Sequence, residues 1–94
     1  MSNKRRVVNN LDCKGFEMFV RDAVASYTNR VERDDFVFPS DVYITWQCKT
    51  LQNWKALAAT PLPDGRYFEA TFNGNTNELY LDVYRKEASE VKKL

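Results

Sequence analysis

The sequence predicts a two-layer α+β domain in which one N-terminal amphipathic helix packs on a four-stranded antiparallel β-meander. Three observations carry that expectation. Apolar residues recur at helical spacing before residue 31, the apolar period changes to two after Pro39, and Asn, Gly, Pro and Asp punctuate the second half into four short strands. At 94 residues the chain fits one domain, since a domain of this size buries roughly 60–65% of the surface its unfolded chain exposes.

Residues 1–10, with Lys4, Arg5 and Arg6, read as a flexible basic arm: a solvated terminus or an anchor for phosphate or an acidic partner. Residues 11–86 form the domain and 87–94 a charged tail. From Phe16 on, Phe16, Phe19, Val20, Ala23, Val24 and Tyr27 fall on one helical face, so one amphipathic helix is expected. Asp12 is placed to cap its first free amides, and Gly15 weakens its first turn by up to about 1 kcal/mol. It should end between Asn29 and Val31, before the charged connector Glu32-Arg33-Asp34-Asp35 and the break at Pro39.

Strands are expected at 42–48, 54–60, 67–72 and 79–84. Leu62-Pro63-Asp64-Gly65 supplies a hairpin turn, with Pro presetting the first corner and Gly the positive φ. Asn73-Gly74-Asn75 supplies the next, and charge selects its register: a turn centred on Gly74-Asn75 places Glu69 opposite Tyr80 and Tyr67 opposite Asp82, whereas one centred on Asn73-Gly74 would oppose Glu69 and Glu78. Arg85 to Leu94 should fray or form a short helix.

One sheet face, with Val42, Ile44, Trp46, Ala56, Ala58, Phe68, Ala70, Phe72, Leu79, Leu81 and Val83, is expected to take the helix, the alanines leaving room for helix aromatics. The other carries Tyr43, Thr45, Gln47, Lys55, Tyr67, Glu69, Thr71, Tyr80, Asp82 and Tyr84. Strand facing depends on the turns, because a slip of one residue exchanges the faces.

With 44% hydrophobic and 14% aromatic residues the chain is too apolar for disorder. A formal charge of +1 gives no global pull toward polyanions or anionic membranes. Apolar runs fall far short of the roughly 20 residues that span a bilayer, and the first residues lack an apolar signal core, so a cytoplasmic protein with no membrane partner is expected. Cys13 and Cys48 are expected to remain thiols. No histidine is present, which removes Ser-His-Asp and Cys-His catalysis and zinc sites that need His. No cofactor motif is present either.

Three readings of the tyrosine face stay open. Tyrosines stack on bases of single-stranded nucleic acid, they anchor protein interfaces, and they pair across strands simply to stabilise a sheet. Glu69 and Asp82 among them repel phosphate, so nucleic acid is not favoured, and Lys49, Lys55 and Arg66 only offset them. Glu69 and Asp82, with Asp41 a third carboxylate, could serve as an acid/base pair, but an open sheet face offers no concave pocket and no catalysis is expected. Lys49-Thr50-Leu51-Gln52-Asn53 reads either as a binding loop or as a turn whose Thr50 and Asn53 bond locally while Leu51 plugs the core. Unpaired sheet edges, or the tyrosine face, also leave room for a homodimer.

Asp41-Val42-Tyr43-Ile44-Thr45-Trp46-Gln47-Cys48-Lys49-Thr50-Leu51-Gln52-Asn53-Trp54, then Asp64-Gly65-Arg66-Tyr67, Asn73-Gly74 and Tyr80-Leu81-Asp82-Val83-Tyr84, resembles a family of short bacteriophage and prophage proteins of unknown function. The resemblance implies an accessory phage protein acting by stoichiometric binding in the bacterial cytoplasm, of the host-takeover or counter-defence type. The expectation is therefore a non-enzymatic protein that binds a host or phage protein through Tyr43, Lys49, Gln52, Lys55, Tyr67, Glu69, Tyr80, Asp82 and Tyr84. Single-stranded nucleic-acid binding through the same tyrosines is the alternative.

Overall fold

The computed structural model describes residues 11–94, so the basic arm expected at residues 1–10 lies outside the described residues. Helix α1 (Cys13–Val31) is followed by a 3-10 turn (Pro39–Asp41) and strands β1 (Tyr43–Thr50), β2 (Asn53–Ala59), β3 (Arg66–Asn73) and β4 (Glu78–Arg85). The strands pair antiparallel in chain order, giving one helix on an open four-stranded meander. The α+β expectation holds, with strand ends displaced by one or two residues.

Asp12 caps α1, its Oδ1 accepting from the Gly15 amide at 2.8 Å. The buried stripe is Phe16, Val20, Val24, Ala25 and Thr28, which is rotated from the expected face; Phe19 is left half exposed. The cause is the connector 36–42, which packs along one flank of the helix. The Asn29 amide donates to the Val37 carbonyl and accepts from the Val37 N–H, both at 2.8 Å, and Arg21 Nε donates to the Val42 carbonyl at 3.1 Å. Val37 and Val42 are thereby drawn into the core.

Across the layer, Phe16 stacks on Trp54 at 5.0 Å and Tyr27 meets Phe68 edge-on at 6.1 Å. Ala56, Ala58 and Ala70 are buried beneath these rings, the small floor that large helix side chains need. Fully burying an aromatic such as Phe68 stabilises the fold by about 1.5–3 kcal/mol relative to leaving it exposed. At the helix C-terminus the Arg66 guanidinium lies 3.0 Å from both Glu32 and Asp64. Arg66 is thus committed to tying helix to sheet and is not a free surface cation.

Several sequence expectations are corrected. In β1, Ile44 pairs with Ala58 but Trp46 pairs with Leu57, so Thr45 is an inserted bulge residue, its hydroxyl donating to the Leu57 carbonyl at 3.3 Å. One inserted residue reverses facing beyond it. Trp46 therefore turns away from the helix, and Gln47 turns toward it, donating to Glu17 Oε2 at 3.0 Å.

The β3–β4 register is Tyr67↔Tyr84, Glu69↔Asp82 and Thr71↔Tyr80, two residues beyond the expected one. Asn73 sets it: its side chain accepts from the amides of Asn75 and Thr76 at 2.9 and 3.3 Å, and its carbonyl accepts from Asn77 at 2.8 Å. The loop thus makes a helical turn that closes at Asn77 with φ 58°. An even shift preserves the faces, so the core assignment of β3 and β4 stands.

Lys49 and Thr50 belong to β1 and Asn53 to β2, leaving Leu51-Gln52 as a two-residue turn. Leu51 has φ 58° and is 79% exposed, so it does not plug the core. The tail after Arg85 forms no helix and is exposed, while Gly65, at φ 75°, takes the expected turn conformation.

Candidate functional site

Parity and the bulge together decide what lies on the sheet face opposite the helix. Along β1 it presents Tyr43, Trp46 and Cys48; β2 adds Lys55 and Leu57, β3 adds Tyr67 and Glu69, and β4 adds Tyr80, Asp82 and Tyr84. Five aromatic side chains, Tyr43, Trp46, Tyr67, Tyr80 and Tyr84, are each 41–49% exposed. Tyrosine and tryptophan are the side chains that anchor interfaces when they are buried by a partner, so this face is the candidate site.

Their arrangement is fixed by polar contacts within the face. Tyr67 and Tyr84, direct cross-strand partners, stack at 5.1 Å with planes 17° apart. Lys55 Nζ lies 2.9 Å from Glu69 Oε2, and the Tyr84 hydroxyl donates to Glu69 Oε1 at 3.2 Å. The hydrogen bond from Lys55 holds the Glu69 carboxyl below its ordinary range, and its bond to Glu69 raises Lys55 in turn. Donation to Glu69 likewise pushes the Tyr84 phenol up. Tyr80 donates to Glu78 Oε1 at 2.5 Å, which raises the phenol and lowers the carboxyl. Tyr43 donates to the Thr60 carbonyl at 3.3 Å. Held this way, the four tyrosine rings have little rotameric freedom left to lose.

Two expected residues stand apart from this face. Lys49 points to the helix side, its ammonium 5.7 Å from the centre of the Trp54 ring. Gln52 donates to Asn75 Oδ1 at 2.8 Å and Asn53 Oδ1 accepts from the Gly74 amide at 3.0 Å, so the β1–β2 turn is clasped to the β3–β4 turn. A Cβ on Gly74 would lie 2.1 Å from the Gln52 carbonyl, which is why glycine sits there.

Sequence reasoning missed Trp46 and Cys48. Beside them, with Thr50, Lys55 and Thr71, lies a depression of about 250 Å³. Period two placed Trp46 inside, and no glycine or proline signalled the bulge that turns it out. Cys48 is an exposed free thiol on this face, and Cys13 is free at the start of the helix.

Chemically the face can stack, bury apolar surface and exchange hydrogen bonds. Glu69 is already engaged by Lys55 and Tyr84. Among the described residues no group of three or more Cys, Asp or Glu is placed to hold a metal ion, and no helix is long and apolar enough to cross a membrane.

Residues 17–94 match a family of unknown function, DUF6275. The match takes in most of the helix and the tail as well as the strands. No curated protein and no solved structure matches the chain.

Proposed function

We propose that this chain, which belongs to the DUF6275 family of unknown function, is a non-enzymatic interaction protein that binds another protein through its open sheet face. The observation that supports the reading is the set of five half-exposed aromatics on one face, of which Tyr67 and Tyr84 are held by their mutual stacking and the Lys55–Glu69–Tyr84 chain. Tyr and Trp are the side chains that most often dominate binding energy at protein interfaces. The resemblance of residues 41–84 to short phage and prophage proteins directs the reading to a host or phage protein in the bacterial cytoplasm, as in host takeover or counter-defence.

Charge weighs against single-stranded nucleic acid as the ligand. Lys55 is neutralised by Glu69, and Asp82 and Glu78 share the face with the rings. Affinity capture of the tagged chain from bacterial lysate, with and without nuclease, tests the proposal. One stoichiometric protein that survives nuclease, and is lost when Tyr67, Tyr80 and Tyr84 are replaced by Ala, is the expected result. Nuclease-sensitive recovery of many nucleic-acid proteins would overturn it in favour of strand binding.

A further inference from the structure

Charge is unevenly spread over the open face. The β1 side chains on it, Tyr43, Trp46 and Cys48, carry none, whereas β3 and β4 set Glu69, Glu78 and Asp82 there. Lys55 is the one cation that the four strands place on this face, and Glu69 holds it at 2.9 Å. Glu78 accepts from the Tyr80 hydroxyl. Asp82 differs from both, for among the described residues its side chain takes part in no hydrogen bond and no ion pair. It stands directly opposite Glu69 across the β3–β4 ladder, where like charges repel. Tyr80 and Tyr84 lie two residues to either side of it on the same face, roughly 7 Å along the strand. The Tyr84 phenol, raised first by its bond to Glu69, is raised further by Asp82. Asp82 is thus an exposed carboxylate between two half-exposed rings, in a field of its own sign.

The helix side of the same chain shows which group satisfies such a set. There the Arg66 guanidinium pairs with Glu32 and Asp64, each at 3.0 Å, while lying 6.0 Å from the centre of the Tyr27 ring. Arg30 lies 5.4 Å from that centre. A guanidinium suits both kinds of neighbour, because it is planar and weakly hydrated, stacks on aromatic rings and meets a carboxylate with parallel N–H donors. A lysine ammonium is a strongly hydrated point charge that does neither as well.

We propose that the bound protein presents an arginine to the β4 half of the face, its guanidinium paired with Asp82 and laid against the rings of Tyr80 and Tyr84. The inference rests on the reading that this face binds a protein, and it names the chemistry recognised there. Charge complementarity selects the occupant. An acidic surface would meet three carboxylates, and an apolar side chain would strip water from Asp82 without replacing its hydrogen bonds. An arginine supplies the opposite charge and relieves the opposition of Glu69 and Asp82 as it docks.

Asp82→Asn separates binding from folding, because it keeps the shape of the side chain and removes the like charge opposite Glu69. The variant should unfold at the same urea concentration as the parent or a higher one, yet hold the captured protein about tenfold more weakly. A purely structural Asp82 would move both in the same direction. Titration of the full chain with N-acetyl-arginine amide, followed by nuclear magnetic resonance, tests the site with a probe of known structure. The amides of Tyr80, Asp82 and Tyr84 should shift in the parent and not in Asp82→Asn, and N-acetyl-lysine amide should need a higher concentration for the same shift. An equal response to the two probes, or one that Asp82→Asn leaves intact, would overturn the proposal. Undiminished capture by Asp82→Asn would overturn it too while leaving the protein-binding reading in place, whereas recovery of no protein by the parent chain overturns both. Movement of the Asp82 and Tyr84 amides when Lys4, Arg5 and Arg6 are all replaced by Ala would assign the carboxylate to the chain's own basic residues, and the proposal would fall.

Discussion

The two faces of the sheet use the same kind of side chain in opposite ways. On the covered face Trp54, Phe68 and Phe72 are buried against Phe16, Tyr27 and Phe19 of the helix, over a floor of alanines. On the open face Tyr43, Trp46, Tyr67, Tyr80 and Tyr84 stay about half exposed, and the four tyrosines are fixed by hydroxyl bonds and ring stacking. Burial consumes an aromatic; orientation without burial leaves it available. Stability should therefore reside mainly on the covered face, and binding on the other.

Phe68→Ala should break the covered face first, costing about 3–5 kcal/mol of unfolding free energy in urea titration. Asn29→Ala comes next at roughly 2–3 kcal/mol, because it strips both partners from the Val37 backbone and releases the connector. Neither should alter partner capture in the fraction that remains folded. Tyr67→Ala removes the stack on Tyr84 and should cost only about 1 kcal/mol of stability while weakening partner binding at least tenfold. An unfolding loss as large as that of Phe68→Ala would erase the difference between the faces.

Outside both faces, Leu51→Gly should stabilise by up to about 1 kcal/mol. Relief of the positive φ at Leu51 is worth roughly 1–2 kcal/mol, less the added entropy of an unfolded glycine. The smallest effect is a pH dependence. Because the folded-state Glu69 carboxyl is held low by Lys55, its contribution is present above the ordinary carboxylate range and fades as pH falls through the folded value. Urea midpoints measured across the acid range should accordingly fall less steeply for Glu69→Gln than for the parent chain.

The helix, the strands and most of their facing were legible because local spacing dictates them: Phe16 to Val24 repeats at helical period, and Phe68, Ala70 and Phe72 at period two. What was not legible depends on one residue or on distant contacts. The bulge at Thr45 carries no glycine, and it alone exchanges Trp46 for Gln47. Cross-strand charge favoured Glu69 opposite Tyr80, but the Asn73 side chain fixed the loop and left Glu69 beside Asp82, its charge met instead by Lys55 from β2. The covered flank of α1 rests on Asn29 meeting Val37, a contact that periodicity does not encode. Of the candidate site, the tyrosines were readable, while Trp46 emerged and Lys49 and Gln52 moved off the face only in three dimensions.

The most direct measurement of the central claim is side-by-side partner capture by the parent chain and by the chain carrying Tyr67→Ala, Tyr80→Ala and Tyr84→Ala, with helix circular dichroism recorded for both. The account predicts loss of the partner with the helix signal retained. Full capture by the folded triple variant would contradict it.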